Sequence, residues 1–510
     1  MLKNSCGNDS LYAAFKAKDT RFDGRFFVGI KTTGVYCRPV CKARQAKAAN
    51  CTFYHTAAEA EQAGYRPCLL CRPELAPGNS ITDAADTLAK RAAMLLEENC
   101  GNGQSLDELA GRLGCTDRHL RRVFKAQYNV TPVQYLSTCR LLLAKNLLTD
   151  TRLSVLDVAM TAGFGSLRRF NDLFKNHYHL SPTALRKKIP IDRNRGGNIT
   201  LALGYRPPYR FDEMLHFLAG RAILGVEVIK DDKYWRTIRL PDANGEDVYG
   251  WLCVGHKPEK NVLTVTVSET LLPILPQVLT RVRHMFDLYC DPDAIYETLS
   301  TMNSIRHGLC VLGTRLPSCF NAFETAVRAI LGQQITVKAA STLAARLVNA
   351  FGTPIQTGIP ELTHVFPSPQ DIIALGEPIE QHLGPLGVIA SRAKAIFRLA
   401  QVLAQGSKHE SVREPGLQKA QELTQGKIDL DLCAQPEEEI KKLMAIPGIG
   451  SWTAQYIAMR TMGWPDAFLE TDAGVKKALE PYSVKERLEL AEAWRPWRSY
   501  ATINLWNSLQ

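Results

Sequence analysis

The chain has 510 residues, 45% of them apolar and 22% charged, room for three or four domains at roughly 150 residues each and unlike collagen, coiled coil or disordered sequence. No run of 18 apolar residues occurs, and the opening Met1-Leu2-Lys3-Asn4-Ser5-Cys6 has no apolar stretch, so no membrane partner and no secretory signal are expected. The charge of +11 is uneven: residues 1–200 hold 30 Lys and Arg against 17 Asp and Glu, residues 201–510 hold 32 against 34, which predicts an anionic partner, most simply nucleic acid, for the first part.

Fourteen cysteines are too dilute for a disulfide scaffold, and in the cytoplasmic setting expected here they read better as metal ligands or reactive thiols. Cys37-Arg38-Pro39-Val40-Cys41 and Cys68-Leu69-Leu70-Cys71 form a C-x3-C and a C-x2-C pair with 26 residues between them. That spacing suits one tetrahedral four-thiolate Zn2+, with Cys6 and Cys51 outside the pattern. On these residues alone, a closed, inert zinc staple is the simplest reading. The stretches Phe27–Cys41 and Glu59–Pro73, however, resemble the N-terminal domain of the Ada family of DNA-repair regulators, over about residues 5–75. The resemblance implies that a zinc-bound thiolate takes a methyl group from a methylated DNA phosphate, with Cys37 as acceptor and Cys41, Cys68 and Cys71 as companion ligands. Four thiolates on Zn2+ carry a net −2, and methylation of one leaves −1. Reduced repulsion from phosphates beside Lys31, Arg38, Lys42, Arg44 and Arg66 would then tighten DNA binding.

Glu74–Ser80 reads as a linker, and a helical pattern follows it. Within residues 105–182, Phe124-Lys125, Tyr128, Thr131 and Pro132 recur 50 residues later as Phe174-Lys175, Tyr178, Ser181 and Pro182. Each copy reads as helix, turn, helix. Ser105-Leu106-Asp107-Glu108 has capping-box form, Gly114 and Gly163 make the turns, and Thr116 and Ser166 cap the second helices. With Leu120, Val123 and Phe124 inward, Arg118, Arg121 and Arg122 face out, as do Arg168 and Arg169 in the second copy. Arginines there suit guanine edges or phosphates of double-stranded DNA. The tandem copies and the Ala159-x-x-Ala162-Gly163-Phe164 run resemble the AraC-type DNA-binding domain, which implies promoter binding, with RNA polymerase as a further partner and a bacterial nucleoid as the place of action.

Lys187–Gly197 is a second, basic linker, and a weaker break falls near Leu312–Pro317. Between them lie strand-like runs at Val226–Ile229 and Val262–Val267; after them helical periodicity dominates. Leu443–Ala454 contains a Pro-Gly-x-Gly hairpin between two helices, whose Gly448 and Gly450 let backbone N–H groups approach a phosphate. With Phe468-Leu469-Glu470-Thr471-Asp472, Arg328–Ile335 and Trp494–Tyr500, this resembles the helix-hairpin-helix glycosylases. Residues 198–510 as a whole resemble their AlkA-type alkyladenine branch. The resemblance implies that Asp472 is catalytic, that Phe217, Trp452, Tyr456 and Trp506 line the base pocket, and that Gln334 is the wedge entering the duplex, where that branch has an apolar residue. Thr471 stands where the family has a second acid. Trp452 stands where lyase-active relatives have Lys, so no Schiff-base chemistry is expected. No cysteine follows Cys433, which excludes the iron–sulfur loop. The Pro-Cys-His-Arg motif of a methylguanine methyltransferase is also missing.

The expectation is therefore a multidomain chain, mainly α with α+β parts. A four-cysteine zinc domain (1–78) precedes a double helix-turn-helix domain (82–189), an α+β AlkA-type N-terminal domain (198–315) and a helical glycosylase domain (316–510). It would be a monofunctional DNA-3-methyladenine glycosylase needing no cofactor for base excision, fused to a methylphosphotriester-sensing regulator that holds one Zn2+. The rival expectation is a regulator whose glycosylase part binds damaged DNA without catalysis.

Overall fold

The computed structural model describes residues 8–76, 88–101, 105–187, 198–405, 428–430 and 436–509. Cys6, Cys433 and most of the two expected linkers, 77–80 and 188–197, lie outside these. By contact density the chain divides into two compact units. The first holds Met1–Pro207, Leu240–Arg283 and Leu288–Asp291; the second holds Pro208–Arg239, His284–Asp287 and Pro292–Gln510. The stretch expected as one α+β domain, 198–315, contributes to both. No described helix is long and apolar enough to cross a membrane.

In the first unit, a four-stranded sheet has the order Cys51–Tyr54, Phe27–Ile30, Val35–Cys37, Arg66–Pro67. The strand Phe27–Ile30 is buried throughout and pairs antiparallel with both neighbours, setting Val28 opposite Cys37 on one side and Phe53 on the other. Val35–Cys37 runs parallel to Arg66–Pro67, with Tyr36 opposite Pro67. Phe26, Val28, Ile30 and Phe53 pack with Leu11 and Phe15 of the helix Asn8–Ala17 into a small core that includes Cys37, Cys41 and Cys68.

The repeat folds as expected. Leu106–Arg112 and Asp117–Tyr128 form the first helix pair; Val155–Thr161 and Leu167–Tyr178 form the second. The capping box at Ser105 and Glu108 is present, and the hydroxyls of Thr116 and Ser166 accept from the N–H groups of His119 and Arg169. Leu120, Phe124 and Tyr128 are buried in one copy, and Phe170, Phe174 and Tyr178 in the other. Both second helices end on a left-handed residue, Asn129 and His179. The 19-residue helix Pro132–Asp150 joins the copies. Further on, Ile199–Gly204, Val262–Val267 and Asp247–Lys257 pair antiparallel in that order, Ile199–Gly204 alternating buried and half-buried residues as a half-covered strand does.

In the second unit, Glu227–Lys230 pairs antiparallel with the strand beginning at Lys233. Asp231 and Asp232, both at positive φ, make the two-residue turn whose twist matches the strands. The rest is helical. Ala326, Val327 and Ile330 of the helix Ala322–Leu331 share one core with Leu347 and Val348 of Val337–Phe351, Ile396 and Leu399 of Ala390–Gln405, and Ile457 and Ala458 of Ser451–Thr461.

Candidate functional sites

The cysteines converge because the sheet holds both pairs. Cys37 ends its strand; the Cys68 N–H donates to the Tyr36 carbonyl at 3.0 Å and the Cys41 N–H to the Arg38 carbonyl at 3.1 Å. All four sulfurs lie within 4.8 Å of one another. Tetrahedral zinc at Zn–S about 2.3 Å needs edges of about 3.8 Å, so the set fits that ion. Cys37, Cys41 and Cys68 are buried, and Cys71 is half-buried and receives the Arg38 N–H at 3.4 Å. Hydrogen bonds to the other three sulfurs, and then burial, push the Cys37 thiol far up, whereas the Cys37 thiol draws Cys41 down to about 7.

The basic residues around it divide. Lys31, Lys42 and Arg44 are exposed and Arg66 half-buried. Arg38, expected at the DNA face, turns inward instead. Its Nε donates to Asp23 at 2.9 Å, a second nitrogen pairs with the same carboxylate, and Nη1 reaches the Cys71 carbonyl at 3.2 Å. Its side chain is 13% exposed, so it braces the metal loop.

Behind the cluster, the helix Ala57–Gln62 faces the helix-turn-helix part. Glu61 is buried; its carboxylate accepts from Tyr36 Oη at 3.0 Å and Thr138 Oγ1 at 2.8 Å. Burial raises its pKa to about 7. Lys145 Nζ and Arg72 similarly meet at the buried Glu74. On the recognition helices, Arg118, Arg121, Arg122, Arg168 and Arg169 are all exposed. Arg121 pairs with Asp117 at 2.8 Å, and Arg122 lies 3.1 Å from a ring nitrogen of His119.

In the second unit, the helix Pro436–Met444 runs into the hairpin and Ser451–Thr461 leaves it. Gly448 sits at φ +93°, and a Cβ there would press on Ala395 and the Ser391 carbonyl. Gly450 caps the second helix without a side chain, and a Cβ there would meet nothing. The first N–H groups of that helix are therefore available to an anion. Gln333 Nε2 donates to the Gly448 carbonyl at 2.8 Å and Thr453 Oγ1 at 3.0 Å. Its neighbour Gln334 is exposed and held at φ 54°, an unusual conformation for a side-chain-bearing residue.

Asp472 caps the helix Ala473–Ala478 and is half-buried. Oδ1 accepts from the N–H groups of Gly474 at 2.8 Å and Val475 at 3.0 Å, and from Trp506 Nε1 at 2.8 Å. Oδ2 accepts from Trp452 Nε1 at 3.2 Å. Trp452 stacks on Tyr456 at 5.2 Å and 10°, Tyr456 lies 6.4 Å from Trp506, and Phe217 stacks on Trp506 at 6.2 Å and 18°. The four aromatic residues expected to line a pocket are thus contiguous around the carboxylate. Three further residues escape a sequence reading. Gly474 admits the Trp506 contact, since a Cβ would lie 2.7 Å from that ring; a glycine in a first helical turn, costing about 1 kcal/mol against alanine, is its faint signal. Arg221 and Arg460 sit over the rings, at 3.7 and 4.8 Å from the Phe217 centroid, and Arg460 Nη1 donates to Tyr456 Oη at 2.6 Å. A ring expected to line the base pocket thus already carries two of the chain's own cations.

Four family models match the chain in succession. The metal binding domain of Ada covers residues 10–74, a helix-turn-helix domain 109–188, the AlkA N-terminal domain 200–321, and the HhH-GPD superfamily of base excision DNA repair proteins 327–495. A probable bifunctional transcriptional activator/DNA repair enzyme AlkA of Mycobacterium tuberculosis is 35% identical over 508 residues, covering 98% of this chain and 96% of that protein. DNA-3-methyladenine glycosylase 2 of Escherichia coli is 32% identical over 306 residues, 60% of this chain and 95% of its own. The bifunctional transcriptional activator/DNA repair enzyme Ada of Escherichia coli is 37% identical over 133 residues, 26% of this chain and 36% of its own.

Proposed function

The chain belongs to the family of bifunctional transcriptional activator/DNA repair enzymes, joining an Ada-type metal-binding domain and a helix-turn-helix domain to AlkA-type and HhH-GPD parts, and from that membership we propose a specific division of labour. The second unit hydrolyses the N-glycosidic bond of alkylated bases such as 3-methyladenine in double-stranded DNA, without cutting the backbone. The first unit senses methylated phosphates through Cys37 and regulates a promoter, with RNA polymerase as a further partner. One observation carries the reading: a carboxylate fixed by four donors stands among four aromatic residues, directly beyond the hairpin.

The geometry supports the following roles. The hairpin N–H groups hold a phosphate while the target nucleotide leaves the stack, which costs a few kcal/mol. Gln334 fills the gap. Three donors fix Oδ1 of Asp472, so Oδ2, with one, is the oxygen left to face the sugar. As the base departs with the glycosidic electron pair, the sugar becomes oxocarbenium-like, and a preoriented carboxylate stabilises it without reorganisation. Water then completes the substitution, with Asp472 accepting its proton. Trp452, where a lyase would have Lys, holds Asp472 through its indole N–H and offers no amine.

In the first unit, zinc when bound supplies the positive charge that keeps four sulfurs ionised. Cys37 Sγ attacks the methyl carbon of a phosphotriester; the C–S bond forms, the C–O bond breaks, and the phosphodiester leaves as an anion. The domain limits expected at 78, 189 and 315 belong to the same reading.

Release of labelled 3-methyladenine from methylated duplex DNA by the purified chain tests the enzyme. Release without strand cleavage is expected; binding without release would favour the regulator that only recognises damage. Peptide mass spectrometry after exposure to methylated DNA should find one methyl group on Cys37, and a methyl on another ligand would reassign the acceptor.

A further inference from the structure

Around the base pocket the charges do not balance. Glu227 and Glu324 neutralise Arg236 and Arg328: Arg328 Nη1 reaches them at 3.0 and 3.1 Å, and Arg236 Nη2 meets Glu324 at 2.7 Å. Arg221 and Arg460 have no such partners. Among the described residues no carboxylate pairs with either. Arg460 is buried, and its nitrogens go to the Pro317 and Ser318 carbonyls and to Tyr456 Oη. Arg221 donates to the Phe217 carbonyl at 3.2 Å, and its own carbonyl is gripped by Arg328. Its guanidinium lies 3.7 Å over Phe217 and 5.8 Å from the Trp506 centroid. Two guanidinium groups without a carboxylate partner among the described residues thus lie over Phe217, whose ring stacks on the Trp506 that holds Asp472. Burial raises the Tyr456 phenol, but the nearby Arg460, Arg221 and Arg328 outweigh it and hold the group below its ordinary value, which registers the positive surplus.

We propose that Arg221 is a specificity-determining residue of this pocket: its guanidinium, fixed on Phe217, disfavours a base that carries a positive charge and favours a neutral base presenting an acceptor edge. The inference rests on the glycosylase reading above. Arg460 is buried and spends its nitrogens on three protein acceptors, whereas Arg221, held by the Phe217 carbonyl and the Tyr456 hydroxyl, keeps donors to spare. Arg221 is half-buried, with five N–H donors. It is therefore the cation able to meet a flipped base. A neutral base gains a charge-assisted hydrogen bond. A permanently methylated, cationic base gains repulsion, opposed by Asp472. At an effective dielectric of about 20, like charges about 6 Å apart shift a ratio by roughly a hundredfold, which water and Asp472 reduce to about tenfold.

Single-turnover excision from duplexes carrying 7-methylguanine, which is cationic, or hypoxanthine, which is neutral, gives the test with the full chain. R221Q should raise the 7-methylguanine to hypoxanthine rate ratio about tenfold, whereas R221K, which keeps the charge, should stay within about threefold of the native ratio. An unchanged or lowered ratio in R221Q overturns the proposal. A second measurement needs no catalysis: titration of tryptophan fluorescence with 1-methyladenosine, a cation, and with inosine. R221Q should tighten the first relative to the second, and unmoved relative affinities count against the proposal. A native chain that excises nothing but shows this shift would lose the glycosylase reading and keep the selectivity. One that excises normally with an unmoved ratio would do the reverse.

Discussion

The metal centre and the base pocket arrange charge in opposite senses. At the first, four sulfurs within 4.8 Å concentrate negative charge that needs a dication. At the second, one carboxylate is fixed by four neutral N–H donors, and two guanidinium groups that pair with no carboxylate among the described residues lie over the neighbouring Phe217. The difference teaches what each site has to do. A nucleophile for a neutral methyl ester benefits from surplus negative charge. A carboxylate that must not leave its place while a sugar turns cationic benefits from donors that fix it.

The largest effect that could break this comparison is on the metal. Structural zinc sites in small domains are worth about 10–16 kcal/mol. Because Cys37, Cys41 and Cys68 belong to the same core as Phe26, Val28 and Phe53, chelation should open that core and expose its thiols. Metal analysis with thiol titration checks this, and base release should persist. Thiols as protected after chelation as before would show that the sulfurs are held without a cation.

Next in size is Asp472→Asn, which keeps the shape and removes the charge. Excision should fall by roughly 10²–10³, the cost of losing one preorganised stabilising group, while duplex binding changes little. Single-turnover release of 3-methyladenine measures it. Near-native release would mean that Asp472 serves only as the helix cap it also is.

The two sites were legible to different degrees, for physical reasons. Cysteine pairs have few alternative uses, so their spacing exposed the metal centre, and a 50-residue repeat exposed both recognition helices. An arginine's role depends on the partner it meets in space. Arg38 read as one of the basic residues beside DNA phosphates, yet Asp23 takes it inward. Arg221 and Arg460 each lie four residues after a pocket ring, Phe217 and Tyr456, but that spacing alone does not say that a guanidinium turns onto the ring rather than toward a carboxylate. Nor does any local pattern show that 208–239 joins one unit and 240–283 the other.

Gly474→Ala sharpens the carboxylate side. A methyl group there would lie 2.7 Å from Trp506 Cδ1 and 3.1 Å from Asp472 Oδ1, pushing the indole off its bond. Losing one donor to Asp472 should cost about 2 kcal/mol in excision, some thirtyfold, with DNA binding retained. Unaltered single-turnover rates would show that the Trp506 bond does not position Oδ2.

The smallest effect probes the anionic side, at Glu61. Burial holds this carboxyl near pKa 7, against about 4.5 when solvated. The folded state therefore binds more protons than the unfolded state between those values, and stability falls as pH rises through that window. Below it the carboxyl is neutral in both states and nothing is lost. Above it the full penalty is present, at most about 3 kcal/mol for such a shift. Glu61→Gln removes the charge and keeps an oxygen for the Tyr36 and Thr138 hydroxyls, both of which can also accept from the amide. After some loss of hydrogen-bond geometry, the variant should gain about 1–2 kcal/mol at pH 8 and nothing at pH 4.5. Glu61→Ala, which strands both hydroxyls, should lose stability at every pH. The urea midpoint for zinc release, followed with a chelating dye from pH 5 to 8, reads the difference at matched pH. A glutamine gain independent of pH would mean that Glu61 is ionised throughout, so that the zinc side of the molecule tolerates one more buried negative charge than its surroundings suggest.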